Sequence, residues 1–173
     1  PLPTAGTPRA VAGGEHIALF QPKFTTDSSR LLYVSDESGW GRLACRDLQA
    51  DSVQWLTEDG VEFGTPAWAQ DMRTYAVCGD GQSVLAVGSR QGFHSAVRID
   101  LENGDHSVVE PLADLTDISQ VAAAPNGSRV AVIGSSAVQT PRVVCCDIRQ
   151  DTSRIVARST GETLSADGLS SPE

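Results

Sequence analysis

The feature that most limits how this sequence can fold is a pattern that occurs three times along it. A turn at Asp27-Ser28 recurs at Asp80-Gly81, 53 residues later, and at Asn126-Gly127, a further 46 residues on. Self-similarity at a period of 40 to 50 residues is typical of β-propeller blades, each of which is one small sheet. The repeat therefore predicts consecutive copies of one β unit.

Each copy contains four short apolar segments separated by turns. Asp-Gly and Asn-Gly pairs supply the positive φ angles of tight hairpins, and Val, Leu, Ile and Tyr between them suit half-buried strands. No segment keeps apolar residues at helical spacing over three turns, which disfavours helices. The predicted strands are 23–25, 30–34, 43–48, 53–57, 74–78, 83–87, 96–101, 107–112, 121–124, 129–133, 143–148 and 154–157. We expect a longer break at 135–141 and an extended loop at 58–73.

The predicted fold is therefore all-β, a partial β-propeller of about three to four four-stranded antiparallel blades. The blades cover about 21–57, 74–112 and 121–158, within a propeller region at 17–158. Residues 1–16 form an N-terminal segment, which could be the end of a preceding blade, and 159–173 form a linker.

Three blades leave an open ring, because propellers normally close with four to eight. The first and last blades then each expose one apolar face. We expect these faces to be lined by Leu32, Val34, Val130 and Val132, and to drive self-association or aggregation of the isolated chain.

Composition argues against several classes of function. The 13 Lys and Arg residues against 22 Asp and Glu give a net charge of -9, with no basic stripe for nucleic acid. The longest apolar runs, such as Val130–Ile133, have four residues, whereas a membrane helix needs about 20. The four cysteines lack metal-binding spacing and lie in apolar segments, so we expect buried thiols, no metal and no cofactor.

The sequence also lacks recognisable catalytic residues. A nucleophile elbow needs Gly-x-Ser-x-Gly, and segments such as Gly81-Gln82-Ser83 and Gly134-Ser135-Ser136 do not match it. The three histidines, His16, His94 and His106, are far apart in sequence and adjoin polar or turn segments. We expect them to be solvent-exposed loop residues, and we assign no catalytic residue to this chain.

Five segments in order resemble the propeller of the prolyl oligopeptidase family of serine peptidases, in its acylaminoacyl-peptidase and dipeptidyl-aminopeptidase-like branch. They are Val11–Gly14 with Phe20–Phe24, Tyr33–Trp40, Glu62–Trp68, Asp114–Ile118 and the tail Leu169–Glu173. The resemblance covers about residues 11–173, and no single segment is specific. The tail is similar to the stretch that leads from the last blade into an α/β-hydrolase domain.

The resemblance implies a parent enzyme that cleaves short peptides with a Ser-Asp-His triad. The propeller would cap the active site and admit substrates by size. None of the triad can be placed on this chain, so the resemblance implies a fragment without the hydrolase domain. Its partners would be that domain and short peptide substrates, in the cytoplasm.

Glu62, Phe63 and Trp40 are the candidate substrate-binding residues. In this family acidic propeller residues can approach a substrate's amino terminus, and Glu62 lies beside an aromatic residue in an interblade loop. Trp40 could stack on a ligand. Structural roles are the alternative: backbone donors would hold Glu62, Phe63 and Trp68 would pack between blades, and Trp40 would anchor adjacent blades.

The functional prediction is thus a non-catalytic propeller segment that gates a peptidase active site. The alternative is a freestanding propeller-repeat module that binds a protein partner through its loops. The reading frame beyond Glu173 distinguishes the two, because only the first predicts a downstream Gly-x-Ser-x-Gly motif.

Overall fold

A computed structural model describes residues 6–65, 68, 71–161 and 168–170 of the chain. The described part contains three four-stranded antiparallel sheets, and none of them closes into a barrel, which confirms the predicted fold class. Parts of the predicted N-terminal segment, the Glu62–Trp68 segment and the 159–173 linker lie outside the described residues. The division into domains therefore stays a prediction.

Each sheet is a simple meander in which neighbouring strands follow one another in sequence. Blade 1 contains β1 (Leu19–Phe24), β2 (Arg30–Ser35), β3 (Arg42–Asp47) and β4 (Ser52–Trp55). Blade 2 contains β5 (Tyr75–Val77), β6 (Ser83–Arg90), β7 (Phe93–Asp100) and β8 (His106–Val108). Blade 3 contains β9 (Asp117–Ala123), β10 (Arg129–Ser136), β11 (Gln139–Asp147) and β12 (Thr152–Arg158).

Two local predictions were wrong. The expected break at 135–141 is a continuous hairpin in which Ser136 pairs with Gln139, because polar residues continue both strands to a short turn. The expected strand at 107–112 ends at Val108 and is followed by a short 3-10 helix, Glu110–Leu112. Pro111 explains this change, since it cannot donate a ladder hydrogen bond but fits the first turn of a helix.

The Asp-Leu or Asp-Ile pair at the end of each third strand has a repeated structural role. The Oδ1 of Asp100 accepts the backbone N–H groups of Glu102 and Asn103 at 2.8 and 3.2 Å. Asp47 and Asp147 accept the corresponding N–H groups of the turns in blades 1 and 3. The carboxylates therefore hold the β3–β4, β7–β8 and β11–β12 turns, which explains why the dipeptide recurs.

The hydrophobic core consists mainly of two clusters, each formed between two successive blades. The alternating residues that point to the next blade form the forward face of a blade, and the other set forms its rear face. Strand pairing places Leu32, Leu85 and Ala131 at one equivalent forward position, and Val34, Val87 and Ile133 at another. Leu32 and Val34 pack on blade 2, and Val130 and Val132 pack on blade 2 from the other side.

The prediction that Leu32, Val34, Val130 and Val132 line bare end faces was therefore wrong. All four are buried in the interblade clusters. Successive residues of a strand point to opposite faces of the sheet, so the end faces carry the residues adjacent in sequence to the four that we predicted. Leu31 and Tyr33 lie on the rear face of blade 1, and Ala131 and Ile133 lie on the forward face of blade 3.

Candidate functional site

The candidate residues lie at one common end of the three sheets. In a four-stranded meander, the connection after the second strand and the connection after the fourth leave from the same end. The β2–β3, β6–β7 and β10–β11 turns therefore lie beside the interblade links, which the structure describes over 56–65 and 71–74 in the first link and over 109–116 in the second. We call this end the link face. It carries Trp40 in the β2–β3 connection and both Glu62 and Phe63 in the first link.

Backbone hydrogen bonds fix the first link between two blades. Glu62 forms an antiparallel bridge with Ser89 at the end of β6, with N···O distances of 2.9 and 2.8 Å. The next residue, Phe63, donates its N–H to the carbonyl oxygen of Gly41 at 2.8 Å. The link thus connects the start of β3 in blade 1 to the end of β6 in blade 2. It also brings Glu62 and Phe63 next to the residue that follows Trp40.

Phe63 is a packing residue. It is only 5% exposed and belongs to the cluster between blades 1 and 2. Its ring lies against Gly88, where a Cβ atom would come within 3.0 Å of Cζ. In the second link, a Cβ atom on Gly134 would come within 2.8 Å of Leu115 Cδ1, and the corresponding residue of the first link is Val61, whose Cγ1 would lie 2.8 Å from a Cβ atom on Gly88. The recurrence of Gly-Ser at 88–89 and 134–135 was a sequence signal for this contact that our sequence reading missed.

The Glu62 side chain holds its own link in place. Its Oε1 accepts the backbone N–H of Gly64 at 3.1 Å. The carboxylate fits there because position 41 is glycine, as a Cβ atom on Gly41 would lie 1.8 Å from Oε1. One of the two carboxylate oxygens is therefore committed to the backbone.

The second link satisfies the corresponding N–H with a different side chain. The pairing of β2 with β3 and of β6 with β7 places His94 at the position equivalent to Gly41. The N–H of Thr116 donates to the carbonyl oxygen of Ser135, as that of Glu62 donates to Ser89, so Thr116 is equivalent to Glu62. The N–H of Ile118, two residues after Thr116, is accepted by Nδ1 of His94 at 2.8 Å. In the first link, Glu62 supplies the acceptor and Gly41 leaves room for its carboxylate. In the second link, His94 supplies the acceptor, and Thr116 stands at the position of Glu62.

The prediction of exposed loop histidines was wrong for two of the three residues. His94 and His106 lie on strands, and His106 Nε2 donates to the carbonyl oxygen of Leu56 at 2.6 Å. His16 is exposed outside the strands. His94 Nδ1, which accepts from the N–H of Ile118, lies 3.4 Å from Asp117 Oδ1. Asp117 Oδ2 accepts from Ser135 Oγ at 3.2 Å, so the aspartate lies between this serine and the histidine, which is not the order of a catalytic triad.

The two tryptophans of this region are exposed. Trp40 follows Gly39, whose φ of 88° makes the turn, and its side chain is 41% exposed and outside the interblade clusters. Trp68 is 92% exposed, so the expected packing of Trp68 between blades was wrong. The structure places Trp40 on the same face as Glu62 without a described contact between their side chains.

The described residues contain no cluster of three or more His, Cys, Asp or Glu side chains that could hold a metal ion. All four cysteines are free thiols. Burial raises the pKa of Cys45 and Cys78, and raises that of Cys146 to about 11, so these thiols are poor nucleophiles at neutral pH. Within the described ranges, no helix is long and apolar enough to span a bilayer.

Neither a family model nor a curated protein matches this sequence. Among solved structures, a puromycin-hydrolysing peptidase from Mycobacterium tuberculosis superposes on 97% of the chain with a TM-score of 0.84 and 25% identity. A puromycin hydrolase superposes on 88% with a TM-score of 0.75 and 23% identity. A dipeptidyl peptidase 4 from Porphyromonas gingivalis shares the fold over 83%, with a TM-score of 0.65 and 13% identity.

The chain spans only 25%, 22% and 26% of the lengths of these three proteins. The resemblance inferred from the sequence is thereby confirmed in three dimensions. The chain matches the β-propeller part, not the hydrolase domain, of puromycin-hydrolysing peptidases of the prolyl oligopeptidase family.

Proposed function

We propose that this chain is the non-catalytic propeller segment of a serine peptidase and that it gates the active site for short peptides. The observation that carries this proposal is the superposition of nearly the whole chain on a quarter of a puromycin-hydrolysing peptidase. The parent's partner for this segment would be its own α/β-hydrolase domain. The segment would act by excluding large substrates and positioning small ones.

The course of the chain supports the link face as the side that meets the hydrolase domain. Strand β12 runs to Arg158 and ends at the link face, where the N–H of Ser159 donates to the carbonyl oxygen of Pro141. Leu169 then lies beside the β10–β11 hairpin at the same end. A domain that follows the propeller would therefore approach the face that carries Trp40 and Glu62.

Glu62 is the residue we propose for binding a substrate's amino terminus. One carboxylate oxygen accepts from Gly64, and the other has no hydrogen-bond partner among the described residues. A partly buried carboxylate with a free oxygen pairs favourably with an ammonium group. In this proposal Trp40 offers an exposed aromatic surface nearby, and buried Phe63 positions Glu62 without touching the substrate.

The proposal includes a cytoplasmic location. Four free thiols, three of them buried, are compatible with a reducing compartment, where disulfides are rare.

The test uses the complete reading frame that contains this chain. We expect a Gly-x-Ser-x-Gly motif downstream of Glu173, and a full-length protein that cleaves tri- and tetrapeptides at least about 100-fold faster, by kcat/KM, than a 30-residue peptide with the same terminal sequence. Equal kcat/KM values for both lengths would contradict gating. A stop codon directly after Glu173 would instead favour a freestanding module that binds a protein partner.

A further inference from the structure

Blades 1 and 3 carry an arginine at the same position, at the end of the third strand nearest the link face. In blade 1, Arg42 pairs with the residue that follows Val34. In blade 3, Arg142 pairs with the residue that follows Ile133, the equivalent of Val34. Because paired residues share a face and successive residues alternate, both arginines lie on rear faces. A blade that followed blade 3 in the polypeptide would pack on its forward face and would leave Arg142 uncovered.

The charge of Arg42 is compensated locally. Its Nη1 lies 3.4 Å from Oδ1 of Asp59, an oxygen that also accepts from Ser38 Oγ at 2.7 Å. Its Nε donates to the carbonyl oxygen of Thr57 at 2.7 Å, and its guanidinium lies 4.7 Å from the centre of the Trp55 ring. Asp59 belongs to the first link. A carboxylate thus reaches this position in blade 1 from the segment that leaves the fourth strand.

The equivalent position in blade 3 lacks such a carboxylate. Arg142 pairs directly with a second arginine, Arg158 on β12, and neither forms an ion pair with the described residues. Nε of Arg142 donates to the carbonyl oxygen of Thr140 at 3.0 Å, and Ile155 stands where blade 1 has Trp55. Like charges directly opposite each other on neighbouring strands are destabilising. Two adjacent cations therefore stay uncompensated in a chain with a net charge of -9.

The two arginines line a cavity of about 280 Å³ at the link face. Ser135, Ser136 and Thr140 also line it and add three hydroxyl groups. Oγ of Ser136 is buried without a hydrogen-bond partner in the described part of the chain, although buried polar atoms are normally bonded. None of the described residues that line the cavity is acidic. Guanidinium and hydroxyl donors grouped in this way suit a carboxylate, which arginine binds with two parallel hydrogen bonds.

We propose that this cavity, the Arg142–Arg158 cleft, binds a carboxylate side chain of the hydrolase domain and so fixes that domain to blade 3. The inference rests on the proposed function, which puts the following domain at the link face. The course of the chain favours this source, since Leu169 also lines the cleft. Strand β12 is an edge strand of its sheet, so the cleft opens where a second domain can reach it. The contact would repeat the role of Asp59 in blade 1.

The test introduces a lysine into the cleft of the full-length protein and adds a water-soluble carbodiimide, which joins ammonium and carboxylate groups that are in contact. We expect Arg158→Lys to form a cross-link that mass spectrometry assigns to an Asp or Glu of the domain with the Gly-x-Ser-x-Gly motif. Arg154→Lys, on the same strand and also exposed, is the matched control and should not be joined to that domain. Sodium chloride at about 1 M should lower the yield at least about fivefold, because salt screens the ion pair. Circular dichroism confirms that each variant is folded.

A cross-link to Glu162 or Asp167 would overturn the proposal, because the linker itself would then supply the carboxylate. So would a cross-link to another blade, one that forms only after a peptide with a free carboxyl terminus is added, or no cross-link from either Arg158→Lys or Arg142→Lys. The measurement uses no substrate and is therefore independent of gating. A cross-link to the hydrolase domain in an enzyme that cleaves long and short peptides equally would keep the contact and contradict only gating.

Discussion

The carboxylate of Glu62 occupies space that is free because Gly41 has no side chain, since a Cβ atom on Gly41 would lie 1.8 Å from Oε1 of Glu62. Gly41→Ala should therefore displace the carboxylate and leave the buried N–H of Gly64 without its acceptor. We expect a loss of about 1–3 kcal/mol in the free energy of unfolding, measured by urea titration. Glu62→Ala should cost a similar amount, and the double variant little more than either one.

Gly161→Ala is the control for this pair, because Gly161 has open space around its Cα and needs no positive φ. It should change stability by less than about 0.5 kcal/mol. Additive losses in the Gly41→Ala, Glu62→Ala double variant would show that the two residues act independently.

Glu62→Gln separates the structural role of this residue from its proposed role in binding. Glutamine keeps an oxygen that can accept from Gly64, so the melting temperature should be nearly unchanged. In the full-length enzyme, KM should rise for peptides with a free amino terminus but not for N-acylated ones. An ion pair of roughly 1.5–3 kcal/mol corresponds to about a 10- to 150-fold change. Equal changes for both substrates would leave Glu62 as a structural residue only.

The aspartates that hold the third-to-fourth strand turns should contribute individually to stability. Asp100→Ala removes the acceptor for the N–H groups of Glu102 and Asn103. We expect a loss of about 0.5–2 kcal/mol, by analogy with helix N-caps that lose a similar acceptor. Glu102→Ala, in the same turn and exposed, is the matched control and should have little effect on the urea midpoint. If both variants lose the same stability, the turn bonds are not the cause.

Acid should weaken the fold through carboxylates that hold turns, both in the β1–β2 turn and in the β3–β4 turn. Hydrogen bonds from Thr25 and Ser29 lower the pKa of Asp27 to about 2, and bonds from the backbone of Ala50 and Gln49 lower the pKa of Asp47. Because the folded pKa values lie below the unfolded value of 3.8, this stabilisation is complete above about pH 5 and is lost as pH falls towards 2. The urea midpoint should therefore drop between pH 4 and pH 2.5. Asp27→Asn should make that drop shallower, and an identical slope would contradict the assignment.

The isolated chain should not hydrolyse aminoacyl p-nitroanilides or p-nitrophenyl esters. Ser135 donates to Asp117, and Asp117 lies between this serine and His94. EDTA should likewise leave the melting temperature unchanged, because no metal cluster exists among the described residues. Turnover above a buffer blank that a serine-directed phosphonate abolishes, or a fall of several degrees with EDTA, would contradict these expectations.

The repeat was sufficient to predict the blades but not the direction in which their residues point. Strands buried on both sides read as continuous apolar runs, so Leu31–Val34 gives no sign of which alternate residues meet which neighbour. Leu32 and Val34 were accordingly placed on the wrong face. Which of these residues face blade 2 follows only from the pairing of β2 with β3 and from the position of blade 2.

The candidate site shows a similar limit. Glu62 was identified because it stands beside an aromatic residue in a long loop, and that local pattern is visible in sequence. Its matching partner, Gly41, is 21 residues away, and the equivalent bond between His94 and Ile118 joins two blades. Such long-range matches could not be predicted without knowing that the links run across the ends of neighbouring strands.

The clusters on both sides of blade 2 have a consequence for how the chain opens. Blade 2 is the only described sheet with a neighbouring blade on each face, so it can lose its packing only after one of its neighbours has separated. When these three blades are isolated from any others, the two outer blades should fray first and blade 2 should exchange its amide protons last. Blade 2 contributes Ser89 to the first link and His94 to the second. The part of the link face that it carries should therefore open most slowly.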